Sequence, residues 1–258
     1  MSIALYVAWR GGTAELGTWS PIGKLERVDN LYRFVYTQGA LTLPAFSPFP
    51  GMTDLYKVYE SEELFPLFAN RLLSKSRSEY EAYLTWGGFD PNNAPDPLAI
   101  LGVTEGIRQT DQLEVFPCPA PDVDGCYLTK FFLHGLRWVP TAALDRIAKL
   151  TEGEQLAMLL DLQNPYDRNA VALRAMNGER LLLGYVPRYL AQDMAKLSVS
   201  CNFAEVTVQR VNPSAPLQMR VLCRMNACWP DDFEPCDQDA YHPIVEAVAL
   251  QTVVTSGA

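Results

Sequence analysis

The sequence predicts an α+β protein of two units: a small N-terminal antiparallel sheet with helices, and a C-terminal small barrel or curled sheet with two short helices. The chain of 258 residues is 48% hydrophobic and 20% charged, which is typical of a folded protein with a sizeable core. Short runs of β-branched and aromatic residues recur along it, separated by turn-forming residues. A proline-rich, acidic stretch, Pro117–Gly125, divides these runs, so we expect a domain boundary near residue 125.

The N-terminal half shows strand patterns, then helix patterns, then one more strand pattern. Strands are predicted at 3–9, 18–28, 32–36 and 112–116. A helix capped by Ser61 is predicted from apolar residues at helical spacing, which are Leu64, Phe65, Phe68 and Leu72. Further helices are predicted from Ser78 to about Trp86, and from Asp96-Pro97, where Asp is a favoured N-cap and Pro a favoured first helical residue.

Many short strands and only two short helices are predicted in the C-terminal half. The strands are at 127–138, 154–163, 170–175, 181–186, 204–211 and 219–225, and the helices at 141–150 and 188–196. We therefore expect domains at 1–125 and 126–235. Residues 236–258 are a tail or a last packed segment.

Charge and composition exclude some classes of protein. The net charge of −9 argues against non-specific coating of nucleic acid, which requires a large basic surface. The charge is uneven: it is −7 over 1–125, +1 over 126–235 and −3 over 236–258, so the middle segment is the better place for a phosphate. No apolar run is long enough to span a membrane and no signal peptide is evident, so together with six scattered cysteines we expect reduced thiols in a bacterial cytoplasm.

The densest group of polar and aromatic residues is Asn164–Ala170, with the sequence Asn-Pro-Tyr-Asp-Arg-Asn-Ala. Pro fixes φ, and Asn and Asp bond their own backbone, so this segment predicts a turn. A polar connection between two strands is one interpretation. A binding loop is the other.

Three segments in order resemble the HIRAN domain: Gly135–Trp138, Asn164–Ala170 and Gly184–Arg188. The resemblance spans about residues 127–197. It implies an OB-like barrel with a pocket for the 3′ end of single-stranded DNA.

The resemblance also implies a role for each matching residue. Trp138 and Tyr166 would stack on terminal bases, as every base has a π-face. Asp167 would accept a hydrogen bond from the free 3′ hydroxyl and repel a phosphodiester in its place. Arg137 and Arg188 would hold phosphates, Asn164 a base edge, and Tyr185 stands where the family accepts His. Without the resemblance, Trp138 is a core or rim aromatic, Tyr166 and Asp167 belong to a turn, and both arginines are solvated charges.

Residues 3–116 resemble, more distantly, the N-terminal subdomain of HipA-type kinases, on the helix pattern Leu64–Leu73. No kinase core follows. The resemblance implies an unidentified protein partner at residues 61–90, and an alternative function in which the protein regulates such a kinase or a defence system without binding DNA. A core helix would show the same apolar pattern.

No cofactor and no catalysis are predicted. The candidate zinc ligands Cys223, Cys228, Cys236 and His242 lack the paired knuckle spacing of zinc sites, and Cys223 fits a buried strand better. Neither histidine lies in a hydrolase motif, and no phosphate-cradling loop is present in the sequence.

Overall fold

The computed structural model describes residues 3–11, 18–44, 46–93, 95–108 and 112–245, and it has two antiparallel sheets. The first sheet contains β1 (Ala4–Gly11), β2 (Thr18–Val28), β3 (Leu31–Tyr36), β4 (Tyr59–Ser61) and β5 (Leu113–Pro117), in the order β4-β3-β2-β1-β5. The helices of this half are α1 (Gly39–Thr42), α2 (Pro66–Ala69), α3 (Tyr80–Trp86) and α4 (Pro97–Thr104). None of the helices in the described ranges combines the length and apolarity that crossing a bilayer requires.

The predicted N-terminal strands are all present. Asp29 and Asn30 join β2 to β3 with positive φ values of 48° and 69°, the conformation that a two-residue hairpin turn needs. Alternate residues such as Leu5, Leu25 and Phe34 face one buried core, as the period of two requires.

The prediction of a long helix capped by Ser61 is wrong. Ser61 ends β4, where it pairs with Tyr32, so the chain is extended at this point. The helix is only Pro66–Ala69, because proline is tolerated at the first turn of a helix and not in its interior. Phe68 is nevertheless buried, with its ring 5.7 Å from that of Phe34.

The other two predicted helices are confirmed as α3 and α4. Asp96 caps α4, since its Oδ1 accepts the Leu98 N–H at 2.8 Å and Pro97 follows it. The buried residues of α4 include Leu98 and Leu101, which pack on the first sheet.

The second sheet has six strands in the order β6-β11-β10-β7-β8-β9 and curls into a half-barrel, as predicted. Its strands are β6 (Cys126–Phe132), β7 (Gln155–Leu160), β8 (Val171–Ala175), β9 (Leu182–Tyr185), β10 (Ala204–Val211) and β11 (Val221–Cys228). Helices α5 (Thr141–Ile147) and α6 (Arg188–Ser200) belong to this half, and α6 buries one face against the sheet. The strand predicted at 127–138 stops at Phe132, and Leu136–Trp138 form a 3₁₀ turn that follows Gly135 at φ 80°.

The two halves are packed against each other. Phe116 of β5 stacks on Tyr189 of α6, with ring centroids 4.4 Å apart and planes 13° from parallel. Residues 236–245 return to the first sheet, where Ile244 N–H donates to the Tyr36 carbonyl at 2.9 Å. Tyr241 packs edge-on against Tyr6 at 4.9 Å. Residues 246–258 lie outside the described residues.

Candidate functional site

The end of β6 and the end of β9 meet at one backbone pair. His134 and Tyr185 exchange two N–H···O=C hydrogen bonds of 2.9 Å. Gly184 permits this approach, because a Cβ on it would lie 2.4 Å from the carbonyl oxygen of His134. The pair therefore brings the motif Gly135–Trp138 beside the motif Gly184–Arg188.

The Asn164–Ala170 segment is a turn held by its own side chains. Asn164 Oδ1 accepts the N–H groups of Tyr166 and Asp167 at 3.0 and 3.1 Å, and Asp167 Oδ1 accepts that of Asn169 at 2.9 Å. This is the local bonding expected of Asn and Asp. Asn164 thus has a structural role in the turn.

Asp161, just beyond β7, links this turn to β9 and is not among the predicted site residues. Its Oδ2 accepts hydrogen bonds from the Tyr185 hydroxyl at 3.0 Å and from Asn164 Nδ2 at 3.2 Å. Burial, the hydrogen bond to Asp161 and the charge of Asp161 raise the pKa of Tyr185, so this hydroxyl stays protonated and donates. The predicted strand 154–163 placed Asp161 in its interior, whereas β7 ends at Leu160, so no local pattern in the sequence marked this carboxylate.

Two aromatic side chains of these motifs are in solvent. Trp138 is 83% exposed and Tyr166 is 84% exposed. Large aromatic side chains are normally buried, and neither of these contributes to a core. Of the two alternatives for Trp138 without the resemblance, a core or a rim aromatic, the core is therefore wrong.

Arg188, the first residue of α6, lies between the two halves. Its Nε is 4.0 Å from Asp167 Oδ2, and its guanidinium carbon is 5.9 Å from the ring centroid of Trp19 on β2. The distance to Asp167 is at the limit of an ion pair, and both groups are partly exposed. A tryptophan of the N-terminal half thus faces an arginine of the predicted site.

A cleft of about 340 Å³ opens beside Trp138 where the two halves meet. The N-terminal half contributes Arg10 and Ile107 to it, and the C-terminal half contributes His134, Arg137, Trp138 and Gln218 among others. Arg137 is exposed here. Two arginines and an exposed tryptophan are suited to an anionic, aromatic ligand.

Buried carboxylates lie behind this cleft. Glu114 is 1% exposed, and its Oε2 accepts hydrogen bonds from Trp19 Nε1 at 3.0 Å and from Arg10 at 3.2 Å. Burial raises the pKa of Glu114, as does the charge of Glu105. Burial lowers the pKa of His134, but the charge of Glu105 and the hydrogen bond to it outweigh burial, so the pKa of His134 is raised overall.

The structure therefore brings the predicted residues into two neighbouring groups. Arg137 and Trp138 lie on the cleft. The second group consists of Asn164, Tyr166, Asp167, Tyr185 and Arg188. Hydrogen bonds join the first four, with Asp161 linking Tyr185 to Asn164, and Arg188 lies 4.0 Å from Asp167.

The prediction of six reduced thiols is wrong for two of the cysteines. Cys201 and Cys228 form a disulfide, so Cys228 is not a thiol ligand. Cys223 is buried in β11, and burial raises its pKa to about 12. Within the described ranges, no three His, Cys, Asp or Glu side chains are grouped so as to hold a metal ion.

Comparison with known proteins identifies the class of the C-terminal module. Residues 127–226 match the HIRAN domain family, so the resemblance predicted for this half is confirmed. The chain is also similar to two crystal structures, each at 19% identity: a protein from Lactobacillus plantarum, with a TM-score of 0.32 over 40% of this chain and 97% of that one, and the HIRAN domain of human HLTF, with a TM-score of 0.30 over 41% and 81%. No curated protein matches the chain. The family match does not extend to residues 1–126, so the resemblance of that half to HipA-type kinases stays a prediction.

Proposed function

We propose that this protein is a non-catalytic nucleic-acid-binding protein whose HIRAN domain captures the 3′ end of single-stranded DNA. HIRAN domains are known as nucleic-acid-binding modules, which fits a role in binding DNA. The observation that supports the proposal most is the exposure of Trp138 and Tyr166 on two loops joined through Tyr185, Asp161 and Asn164. Stacking of a base on such a side chain contributes about 1–3 kcal/mol.

Asp167 is the residue we propose for end recognition. A carboxylate oxygen accepts a hydrogen bond from a 3′ hydroxyl, whereas a 3′ phosphate in the same place is repelled by the negative charge. Arg188, 4.0 Å away, is close enough to a bound terminus to hold the adjacent phosphate. Arg137 would hold the next phosphate along the strand.

The affinity will depend on salt only moderately. Residues 126–235 have a net charge of +1, so long-range attraction is weak. Two arginine contacts to a single strand predict a slope of log affinity against log salt of about −1.4.

The test is fluorescence anisotropy with a short labelled strand that ends in a 3′ hydroxyl, beside the same strand with a 3′ phosphate. We expect the wild type to prefer the hydroxyl, and Asp167→Ala to lose binding to it. Asp167→Asn is the matched control, because its amide oxygen still accepts hydrogen bonds but carries no charge. We expect this variant to bind the 3′-hydroxyl strand still, with a smaller difference in affinity between the 3′-hydroxyl and 3′-phosphate strands. Equal binding of the two strands by the wild type contradicts end recognition, and no binding to either contradicts the whole proposal.

The proposal includes a protein partner at residues 61–90. The apolar side chains Phe68 and Leu84 of this segment are buried, which leaves an exposed polar loop at 74–79 with Lys75 and Arg77. We expect affinity capture from cell extract to yield a specific protein, and Arg77→Glu to reduce its recovery while DNA binding is unchanged. If wild type and variant recover the same proteins, this segment is not the contact surface.

A further inference from the structure

We propose that the nucleic-acid site is shared between the two halves, with Arg10 of the N-terminal half as a phosphate-binding residue for the strand leaving Trp138. This inference rests on the proposed function and extends it to a surface outside the HIRAN match at 127–226. The ligand chemistry is the sugar–phosphate backbone of a single strand.

The first argument is the position of Arg10. It lines the cleft that Arg137 and Trp138 line, although it belongs to β1 of the other half. Its side chain is 57% exposed, so it can reach a ligand without any movement of the fold. A strand whose last bases stack on Trp138 and Tyr166 would find a second arginine in this cleft.

The second argument is how Arg10 is held. One nitrogen of its guanidinium donates to the buried Oε2 of Glu114 at 3.2 Å. A guanidinium has five N–H donors, so this bond fixes the group and leaves other donors for phosphate oxygens. Holding an arginine in place before binding reduces the entropy lost when a phosphate binds.

The third argument is that Glu114 organises both sides of the site. The same Oε2 accepts the indole N–H of Trp19 at 3.0 Å, and the ring of Trp19 faces Arg188. A carboxylate only 1% exposed is costly to keep charged, and burial raises its pKa. One buried group thus positions Arg10 in the cleft and Trp19 against an arginine of the HIRAN motif.

The test uses the full chain and two labelled strands with free 3′ hydroxyls: a trinucleotide, which is long enough only for the proposed contacts to Trp138, Tyr166 and Asp167, and a dodecanucleotide, which also extends along the cleft. Arg10→Gln is expected to weaken binding of the longer strand about fivefold and to reduce its salt slope by about 0.7, as loss of one phosphate contact requires. Binding of the trinucleotide should stay within about twofold of the wild type. Lys57→Gln, an equal loss of charge at an exposed position that does not line the cleft, should change neither.

Two further variants keep the test decisive if Arg10→Gln perturbs the fold, which a thermal melt would reveal. Arg10→Lys keeps the charge and should retain the salt slope. Gln218→Glu places a negative charge at an exposed position in the cleft without touching Glu114, and should weaken only the longer strand. If the folded Arg10 and Gln218 variants bind the longer strand as the wild type does, while Asp167→Ala still loses both strands, the shared site is refuted and the proposed function stands. If the wild type binds neither strand, the proposed function fails, and the shared site with it.

Discussion

The hydroxyl of Tyr189, in the HIRAN domain, donates a 2.9 Å hydrogen bond to the carboxylate of Glu105, in the N-terminal half. Glu105 is 2% exposed, and its other oxygen is 3.0 Å from His134 Nε2. It stands at the end of α4 with φ 61°, a left-handed conformation that favours glycine. The backbone of Glu105 is therefore strained relative to a glycine at this position. Its side chain joins the two halves beside the cleft.

Glu105→Ala should lower the free energy of unfolding by about 3 kcal/mol, because it leaves the Tyr189 hydroxyl and the His134 imidazole without their buried partner. Tyr189→Phe removes one hydrogen bond and should cost about 1 kcal/mol. Equilibrium unfolding in urea measures both. Glu62→Ala, at an exposed position, is the control; a Glu105→Ala value as small as that of the control would show that the contact contributes nothing to stability.

Asp193 should make the protein less stable as the pH rises. It is 3% exposed on α6, one of its oxygens has no partner among the described residues, and burial raises its pKa to about 7. Because the folded state holds the proton more tightly than the unfolded chain, the stabilisation is full below about pH 4 and is lost as the pH rises to about 7.

The measurement is chemical unfolding of Asp193→Asn and wild type at about pH 4 and about pH 8. At the lower pH the free energies of unfolding of the two proteins should be equal, and at the higher pH that of the amide variant should be larger by on the order of 4 kcal/mol. Asp145→Asn, which removes an exposed charge on α5, should differ from the wild type by less than about 0.5 kcal/mol at both. A constant difference between Asp193→Asn and wild type across this range is the outcome that contradicts the assignment.

Gly184→Ala should disrupt the junction between the motifs. The added Cβ would lie 2.4 Å from the His134 carbonyl oxygen and 2.8 Å from Leu133 Cγ, so the β9 end must move away. We expect a loss of stability of at least about 2 kcal/mol, measured by thermal unfolding, together with weaker DNA binding. In Gly178→Ala the added Cβ has no atom within 4 Å. The loss of stability should therefore be only the strain of a positive φ, about 1 kcal/mol. Equal losses for the two variants would mean that the close approach is unimportant.

Trp138→Ala and Tyr166→Ala should separate function from stability. Both side chains are more than four-fifths exposed, so their removal should change the free energy of unfolding by less than about 0.5 kcal/mol. Each should weaken binding of a single strand by about 1 kcal/mol or more, since a stacking surface is lost. Tyr56→Ala removes another exposed aromatic, which is 66% exposed on the N-terminal half, and should leave binding unchanged. If all three variants bind equally well, the two aromatics are not stacking surfaces.

The amino-acid sequence predicted most strands because their period of two and their turn residues are local signals. Asp96-Pro97 was sufficient to locate the start of α4, and the HIRAN motifs located the C-terminal module. The helix at Ser61 was mispredicted for a physical reason: its apolar spacing is genuine, but pairing of Tyr59–Ser61 with β3 outweighed a local preference. Asp161 was missed because a single carboxylate at a strand end has no local pattern to mark it.

By itself, then, the sequence determined most of the strands and helices, the turn at Asn164–Ala170 and the resemblance of residues 127–197 to the HIRAN family, because each depends on neighbours along the chain or on a motif in fixed order. Only the tertiary structure decided that Trp138 is exposed, that Tyr185 is bonded to Asp161, and that Arg10 and Trp19 approach the HIRAN motifs through Glu114. Arg10 and Arg137 are 127 positions apart in the sequence. Contacts over such separations depend on how two sheets pack and on which charges are buried between them, and no local pattern of residues encodes that arrangement.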